Sequence, residues 1–336
     1  MIRNAPPAAP ARLELGSFPT PLHPAPRLAQ SLGIRRELWV KRDDLSGPAL
    51  GGSKVRKLEY LLADAERSGA DAVVTVGAGQ SNHARLTAVL GATRGLEVHL
   101  VLGGGTPQAW EGNALIGRLA GGAVHPVDTD DWGVLARKLM EVTEDLRRRG
   151  RSPYPIPMGG STPVGSLGYA TAYLELLAQL EAAGVEADWV VLASSTGGTQ
   201  AGLLAGRMAA RRGPRVVGVD VAKGGEPLRE TVHRLARETA RLLGVDGEPD
   251  EVLVVEGAGP AYGAVTPEVA RVLVRALRSE GLLVDPVYSG KAVAALPALS
   301  ERLDGRGPLV FLHTGGQPAL FARRYATDVL EQGGGS

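Results

Sequence analysis

Lys54 is the residue whose surroundings most suggest chemistry. It follows Gly51, Gly52 and Ser53 and precedes Leu58, Leu61, Leu62 and Ala65, an apolar spacing that predicts a helix opening at the lysine. Ser53 has the side chain of a helix N-cap. A cation in the first turn opposes the helix dipole, which biases the ammonium toward the free amine that attacks carbonyls. Lys57 lies three residues on, hence on the same face, where a second cation would lower the first pKa and offer a contact to a phosphate. For a Lys-x-x-Lys pair alone, a solvated basic face is the plainer account.

Other loops carry residues that match such a lysine. Ser194-Ser195-Thr196-Gly197-Gly198-Thr199-Gln200 puts small residues and hydroxyls at a predicted helix start, a cradle for a phosphate. No Gly-Lys-Ser/Thr ends it, and Gly77-Ala78-Gly79 lacks the third glycine and acidic residue of a dinucleotide fingerprint, so a monophosphate suits it better. Gln80, Ser81, Asn82 and His83 place amide, hydroxyl and backbone donors at another helix start, suited to an amino-acid carboxylate. Tyr288-Ser289-Gly290-Lys291 and His313-Thr314-Gly315-Gly316 add a phenol and hydroxyls at two more. Each of these loops alone reads equally well as ordinary capping, and His313, ending an apolar run, reads as a hydrogen-bonded core histidine. A reactive lysine, a monophosphate cradle and a carboxylate cradle together describe a site for pyridoxal phosphate and an amino acid.

The elements that must position these loops follow a regular alternation. Strands are predicted over 39–42, 71–76, 96–102, 123–127, 188–194, 215–221, 251–255 and 308–313. Helices are predicted from Lys54, from the 80–83 loop to about Arg94, over 113–120, from Trp132 to a stop at Gly150, and from Gly165 to about Ala183. Further helices are predicted over 199–211, 227–243, 267–280, 290–302 and 318–330. Pro153, Pro155 and Pro157 read as an interruption before Met158–Gly165, a crossing point between two halves. The alternation predicts an α/β fold of parallel sheets with helices on both faces, whose ligands sit beyond the carboxyl ends of the strands.

Composition narrows the function. At 336 residues, 44% of them hydrophobic, two domains sharing a cleft are expected. Lys plus Arg total 37 against 36 for Asp plus Glu, leaving no electrostatic footprint for nucleic acid or an anionic membrane. There is no cysteine, and the six histidines show no close metal-ligand spacing, so no metal is expected. Without an apolar leader or membrane-length run, a cytoplasmic protein with a small-molecule partner is expected. Residues 1–12 and the final Gly-Gly-Gly-Ser have the composition of disordered ends, the latter of an appended linker.

From about Arg12 to Val329 the chain resembles the D-cysteine desulfhydrase and 1-aminocyclopropane-1-carboxylate deaminase family, of tryptophan-synthase-β-like fold (fold type II). The resemblance is carried by Leu50–Lys54 with Arg56–Glu59, Gln80–His83, Thr196–Thr199, Asp285–Tyr288 and His313–Gly316. It implies two open twisted sheets: a large cofactor domain from 13–56 and 164–330, a small domain over 57–163, tails at 1–12 and 331–336, and a homodimer. It implies Lys54 as the Schiff-base lysine, Lys57 and Thr196, Gly197, Gly198, Thr199 and Gln200 on the phosphate, and Asn82 beside the ring. Ser81 would bind the substrate carboxylate and assist proton transfer, with Gln80, Asn82 and His83 around it. Tyr262 and Tyr288 match two active-site tyrosines. Ring-opening deaminases of the family carry glutamate and leucine where this chain has Ser289 and Thr314, whereas desulfhydrases carry small hydroxyl residues there, so the resemblance implies both residues beside the cofactor ring and D-cysteine as the expected substrate, with the cyclopropane or another β-substituted amino acid as the alternatives. Ser53 in place of the usual asparagine, and Gly79 in place of a bulkier residue, are expected to re-line the site.

Overall fold

The computed structural model describes residues 10–106, 109–257 and 259–333. Among the described residues ten strands form two sheets: β1 (Leu22–Pro24), β2 (Leu38–Lys41), β3 (Ala72–Ala78), β4 (Glu97–Gly103), β5 (Ala123–Val127), β6 (Pro153–Ile156), β7 (Trp189–Ser194), β8 (Arg215–Asp220), β9 (Leu253–Glu256) and β10 (Leu309–Leu312). The six-stranded sheet runs β1-β2-β10-β7-β8-β9 and the four-stranded sheet β5-β4-β3-β6. Every pairing is parallel except β1 on β2. The helices are α1 (Pro26–Ser31), α2 (Lys54–Arg67), α3 (Asn82–Thr93), α4 (Gly112–Leu119), α5 (Trp132–Arg148), α6 (Pro163–Ala183), α7 (Gly198–Ala210), α8 (Gly225–Leu242), α9 (Pro267–Glu280), α10 (Ser289–Arg302) and α11 (Arg323–Gly333). This is the alternating α/β architecture that the periodicities predict.

Central strands such as β7 and β10 are near-continuous runs of Val, Leu and Phe because helices cover both faces. Val191, Phe311 and Leu38 pack on one face of the large sheet with α9 and α10, while Val190, Val310 and Leu312 pack on the other with α6, α7 and α8. The four-stranded sheet likewise has Val73 and Leu100 toward α2 and α3, and Val74 and Val101 toward α5.

Three sequence expectations need correction. The proline run is not a break: β6 pairs in parallel with β3, and it tolerates Pro153 and Pro155 because it is an edge strand with one side free of pairing. The helix expected over 318–330 is a 3-10 turn at Gln317–Phe321 followed by α11, as Pro318 starts the turn and Ala322 takes an extended conformation. Order also reaches further than the expected tails. Arg12 pairs with Glu59 at 2.7 Å, and α11 runs to Gly333; residues 1–9 and 334–336 lie outside the described residues. No helix among the described residues is long and apolar enough to cross a membrane.

Candidate active site

A cavity of about 610 Å³ opens at the carboxyl ends of the strands of both sheets. Lys54 lines it, together with Ser53, Ser81, Asn82, His83, Thr196, Gly197, Thr199, Tyr262, Tyr288 and Thr314. Residues predicted from six separate loops therefore meet in one place.

Lys54 is delivered there by helix packing. α2 lies against α6, and Gly168 permits the approach, since a Cβ there would come within 2.2 Å of the Arg56 carbonyl oxygen. Arg56, two residues after Lys54, points away from the cavity. It donates from Nε and Nη2 to the two carboxylate oxygens of Asp43 at 2.8 and 2.9 Å, and from Nη1 to Glu175 at 2.9 Å. Tyr169 donates to Asp43 at 2.6 Å, and Lys41 joins through Glu175. Such a buried, fully bonded pair fixes geometry more than it adds stability. Here it locks the first turn of α2, so Lys54 faces the cavity by default.

Ser53 does not cap the helix as expected. Its backbone is already helical, and its hydroxyl accepts from Lys54 Nζ at 3.0 Å. Burial foremost, and then the Arg85 guanidinium, bring the Lys54 amine down to about 8 against the opposing pull of Asp285. Arg85 is thus a second cation beside the amine, in addition to Lys57, whose repulsion with Lys54 is mutual. Lys57 is itself buried, held well below the usual lysine range by desolvation and then by Lys54.

Lys57 Nζ donates to the Gly159 carbonyl at 3.1 Å and to Ser161 Oγ at 3.3 Å, with no carboxylate partner among the described residues. Ser161 Oγ also bonds Thr196 Oγ1 at 2.7 Å and accepts from the Gly198 amide at 3.3 Å. A buried lysine amine, two hydroxyls and amides at the start of α7 form a pocket in which a bound anion would favour the charged form of Lys57. A Cβ on Gly198 would intrude, at 2.6 Å from Ser161 Oγ and 2.9 Å from Lys57 Nζ. The Gln200 side chain does not enter this cradle, although its backbone amide lies in the first turn of α7. That side chain is fully buried and donates to the Leu253 carbonyl at 2.8 Å, away from the cavity.

At the opposite wall Ser81 caps α3, accepting from the Ala84 amide at 3.2 Å. Asn82 Oδ1 and both ring nitrogens of His83 are buried without partners, and burial drives the His83 imidazole far toward its neutral form. Such orphaned groups mark a place where a polar ligand completes the bonding. Gln80, expected here, is turned away: it donates to the Glu111 carbonyl and accepts from the Asn113 amide at 2.9 Å, tying the 80–83 loop to α4. Gly79 does not line the cavity either, so only Ser53 of the two departures re-lines it.

Tyr262 and Tyr288 bond through their hydroxyls at 2.5 Å, and burial pushes both phenols well above their ordinary range. Trp132, from the start of α5, meets Tyr262 edge-on with ring centroids 5.7 Å apart. Ser289 lies beyond the wall. It accepts from the Asp285 amide at 2.8 Å and donates to the Asp285 carboxylate at 2.6 Å, while Thr314 lines the cavity and its carbonyl accepts from the Ser53 amide at 2.9 Å. Sequence reasoning missed Ser161, Trp132 and Arg85. Ser161 lies in the Met158–Gly165 stretch that reads as a crossing point between the two halves, and the other two carry no motif at all.

His313 is a core histidine, fully buried, with Nε2 at 3.2 Å from the Leu283 carbonyl. Away from the cavity, His99 and His125 on neighbouring strands bring ring nitrogens to 2.9 Å, a pairing that sequence separation hides. No group of three or more His, Asp, Glu or Cys among the described residues could hold a metal ion.

A family model described as "Pyridoxal-phosphate dependent enzyme" matches residues 13–315. A putative 1-aminocyclopropane-1-carboxylate deaminase of Pyrococcus abyssi is 40% identical over 320 residues, 95% of each chain. A D-cysteine desulfhydrase of Klebsiella pneumoniae is 40% identical over 318 residues, 93% of this chain and 95% of that one. A crystal structure described as an ACC deaminase homologue superposes with a TM-score of 0.89 at 37% identity over 96% of both chains. A structure of O-ureido-L-serine synthase shares the fold at a TM-score of 0.66 and 18% identity, covering 93% of this chain and 91% of its own.

Proposed function

Because the chain belongs to the pyridoxal-phosphate dependent enzyme family, we propose that it is a lyase performing α,β-elimination on a small β-substituted amino acid, D-cysteine foremost, to give pyruvate, sulfide and ammonia. The residues present fit the cofactor. Lys54 would hold its carbonyl carbon, and Lys57, Ser161, Thr196, Thr199 and the amide of Gly198 would hold its phosphate in the cradle that any Cβ at Gly198 would fill. Asn82, with its unpartnered amide oxygen, would lie beside the ring. When bound, the cofactor supplies an electron sink conjugated to the substrate amine, which eases loss of the Cα proton.

The chain's own groups divide the proton work. An amine brought down to about 8 is on the order of one-tenth free at pH 7, so Lys54 Nζ is the base for the Cα proton. The Ser81 hydroxyl and the amides opening α3 receive the substrate carboxylate. Tyr262 and Tyr288 keep their protons at any physiological pH and so act as donors to the departing sulfur. Trp132 and the tyrosines limit water at that end.

The observation that carries the choice of elimination is that no Asp or Glu lines the cavity among the described residues. A carboxylate facing the ring nitrogen would favour its protonated, strongly electron-withdrawing form; without one, loss of a good leaving group is better served than opening of a carbon ring. Ring-opening of 1-aminocyclopropane-1-carboxylate is the second reading, favoured by the equal identity to relatives named for that deaminase. A cytoplasmic homodimer, with residues 57–163 as the smaller of two domains, belongs to the same proposal. The test is a panel of D- and L-amino acids scored for 2-oxo acid and sulfide: D-cysteine should release both together, and a protein that releases neither from it while turning over another β-substituted amino acid would displace D-cysteine as substrate.

A further inference from the structure

Arg85, on α3, is buried to 1% exposure, and no carboxylate lies within ion-pair distance of it among the described residues. Its guanidinium donates from Nη1 to the Ala49 carbonyl and from Nη2 to the Gly51 carbonyl at 2.8 Å, while Nε has no partner. A desolvated arginine ordinarily faces a counter-charge. Here the acceptors are two backbone carbonyls flanking Leu50, in the loop that leads to Lys54. That loop is unusual: Ala49, Leu50, Gly51 and Gly52 all have positive φ, at 48°, 69°, 52° and 115°. Two of the four are not glycine, and such a conformation persists only where the surroundings impose it.

We propose that Arg85 is a positioning residue, which clamps the left-handed turn at 49–52 to α3 and sets a fixed positive charge beside the Lys54 amine. α3 opens with Ser81 and Asn82, so the helix that meets the substrate carboxylate and the loop that aims the amine move as one unit. The inference rests on Lys54 being the reactive amine, but not on the identity of the substrate. The ionisable groups facing Lys54 are Arg85 from α3, Lys57 from its own helix, His83 from the start of α3, and Asp285 ahead of α10. Arg85 alone among them also holds the loop.

The test uses apoprotein, so it is independent of turnover. Lys54 is titrated by NMR after ¹³C reductive methylation, and amide exchange is followed at Gly51, Gly52 and Ser53, whose amides donate to Pro48, Asp43 and Thr314. Arg85→Met should raise the Lys54 pKa toward its ordinary value and speed exchange at these amides by about tenfold or more. Arg85→Lys keeps the charge but not the fork, so it should leave the pKa low while exchange still accelerates. A folded Arg85→Met with both readouts unchanged would overturn the proposal, and faster exchange with an unmoved pKa would remove the electrostatic part. Should Arg85→Met not fold, wild-type exchange rates in Arg85→Lys would refute the clamp.

Discussion

Replacing Lys54 by methionine should abolish turnover and, in the apoprotein, make the fold more stable. Holding the amine at about 8 rather than 10.5 costs the folded state about 3 kcal/mol at pH 7, since each tenfold change in proton affinity is worth about 1.4 kcal/mol. Methionine keeps the apolar stem and removes the charge, at the loss of the bond to Ser53, worth about 1 kcal/mol. A net gain of about 2 kcal/mol is therefore expected. The sign with pH follows from linkage. The unfolded state binds the proton more tightly, so the wild-type penalty is complete below pH 8, shrinks between 8 and 10.5, and is gone above. Urea unfolding of wild-type and Lys54→Met apoprotein at pH 7 and near pH 10.5 measures it. A variant no more stable than wild type at pH 7, or an advantage that grows with pH, would refute the reasoning.

Gly198→Val should weaken cofactor retention on dialysis by about 10- to 100-fold in Kd, because its side chain displaces Ser161 and Lys57 from the anion; full occupancy after dialysis would place the phosphate elsewhere. Tyr288→Phe should lower kcat by about 100-fold if the phenol donates to the leaving group, and the loss should shrink with a β-substituent that needs no proton; equal losses for both would remove the phenol from that step. Sedimentation velocity should show a dimer, and a monomer at micromolar concentration with full activity would contradict that expectation.

The elements were legible because their periods are strong: β7, β10 and α5 appear where apolar alternation or helical spacing puts them. Loops at helix starts were legible too, since Lys54, Ser81 and Thr196 are marked by glycine and hydroxyl neighbours. What the chain hid depends on contacts across the fold. Gln80 reads as a donor, yet the Glu111 carbonyl and the Asn113 amide, some thirty residues away, claim its side chain. Lys57 reads as the cation that tunes Lys54, but a second one, Arg85, reaches back from α3 with no motif to mark it. Ser289 reads as a group facing the ring, while its hydroxyl is taken by Asp285, four residues earlier. A glutamate at 289 would therefore sit against that buried carboxylate, and one of the two would have to hold a proton.

The most direct test of the account is competition in one reaction, with D-cysteine and 1-aminocyclopropane-1-carboxylate at equal concentration and both 2-oxo acids quantified. A cavity without a lining carboxylate, with Lys54 as base and the tyrosine pair as donor, predicts pyruvate with matching sulfide and little 2-oxobutyrate. Abundant 2-oxobutyrate with no sulfide would contradict it.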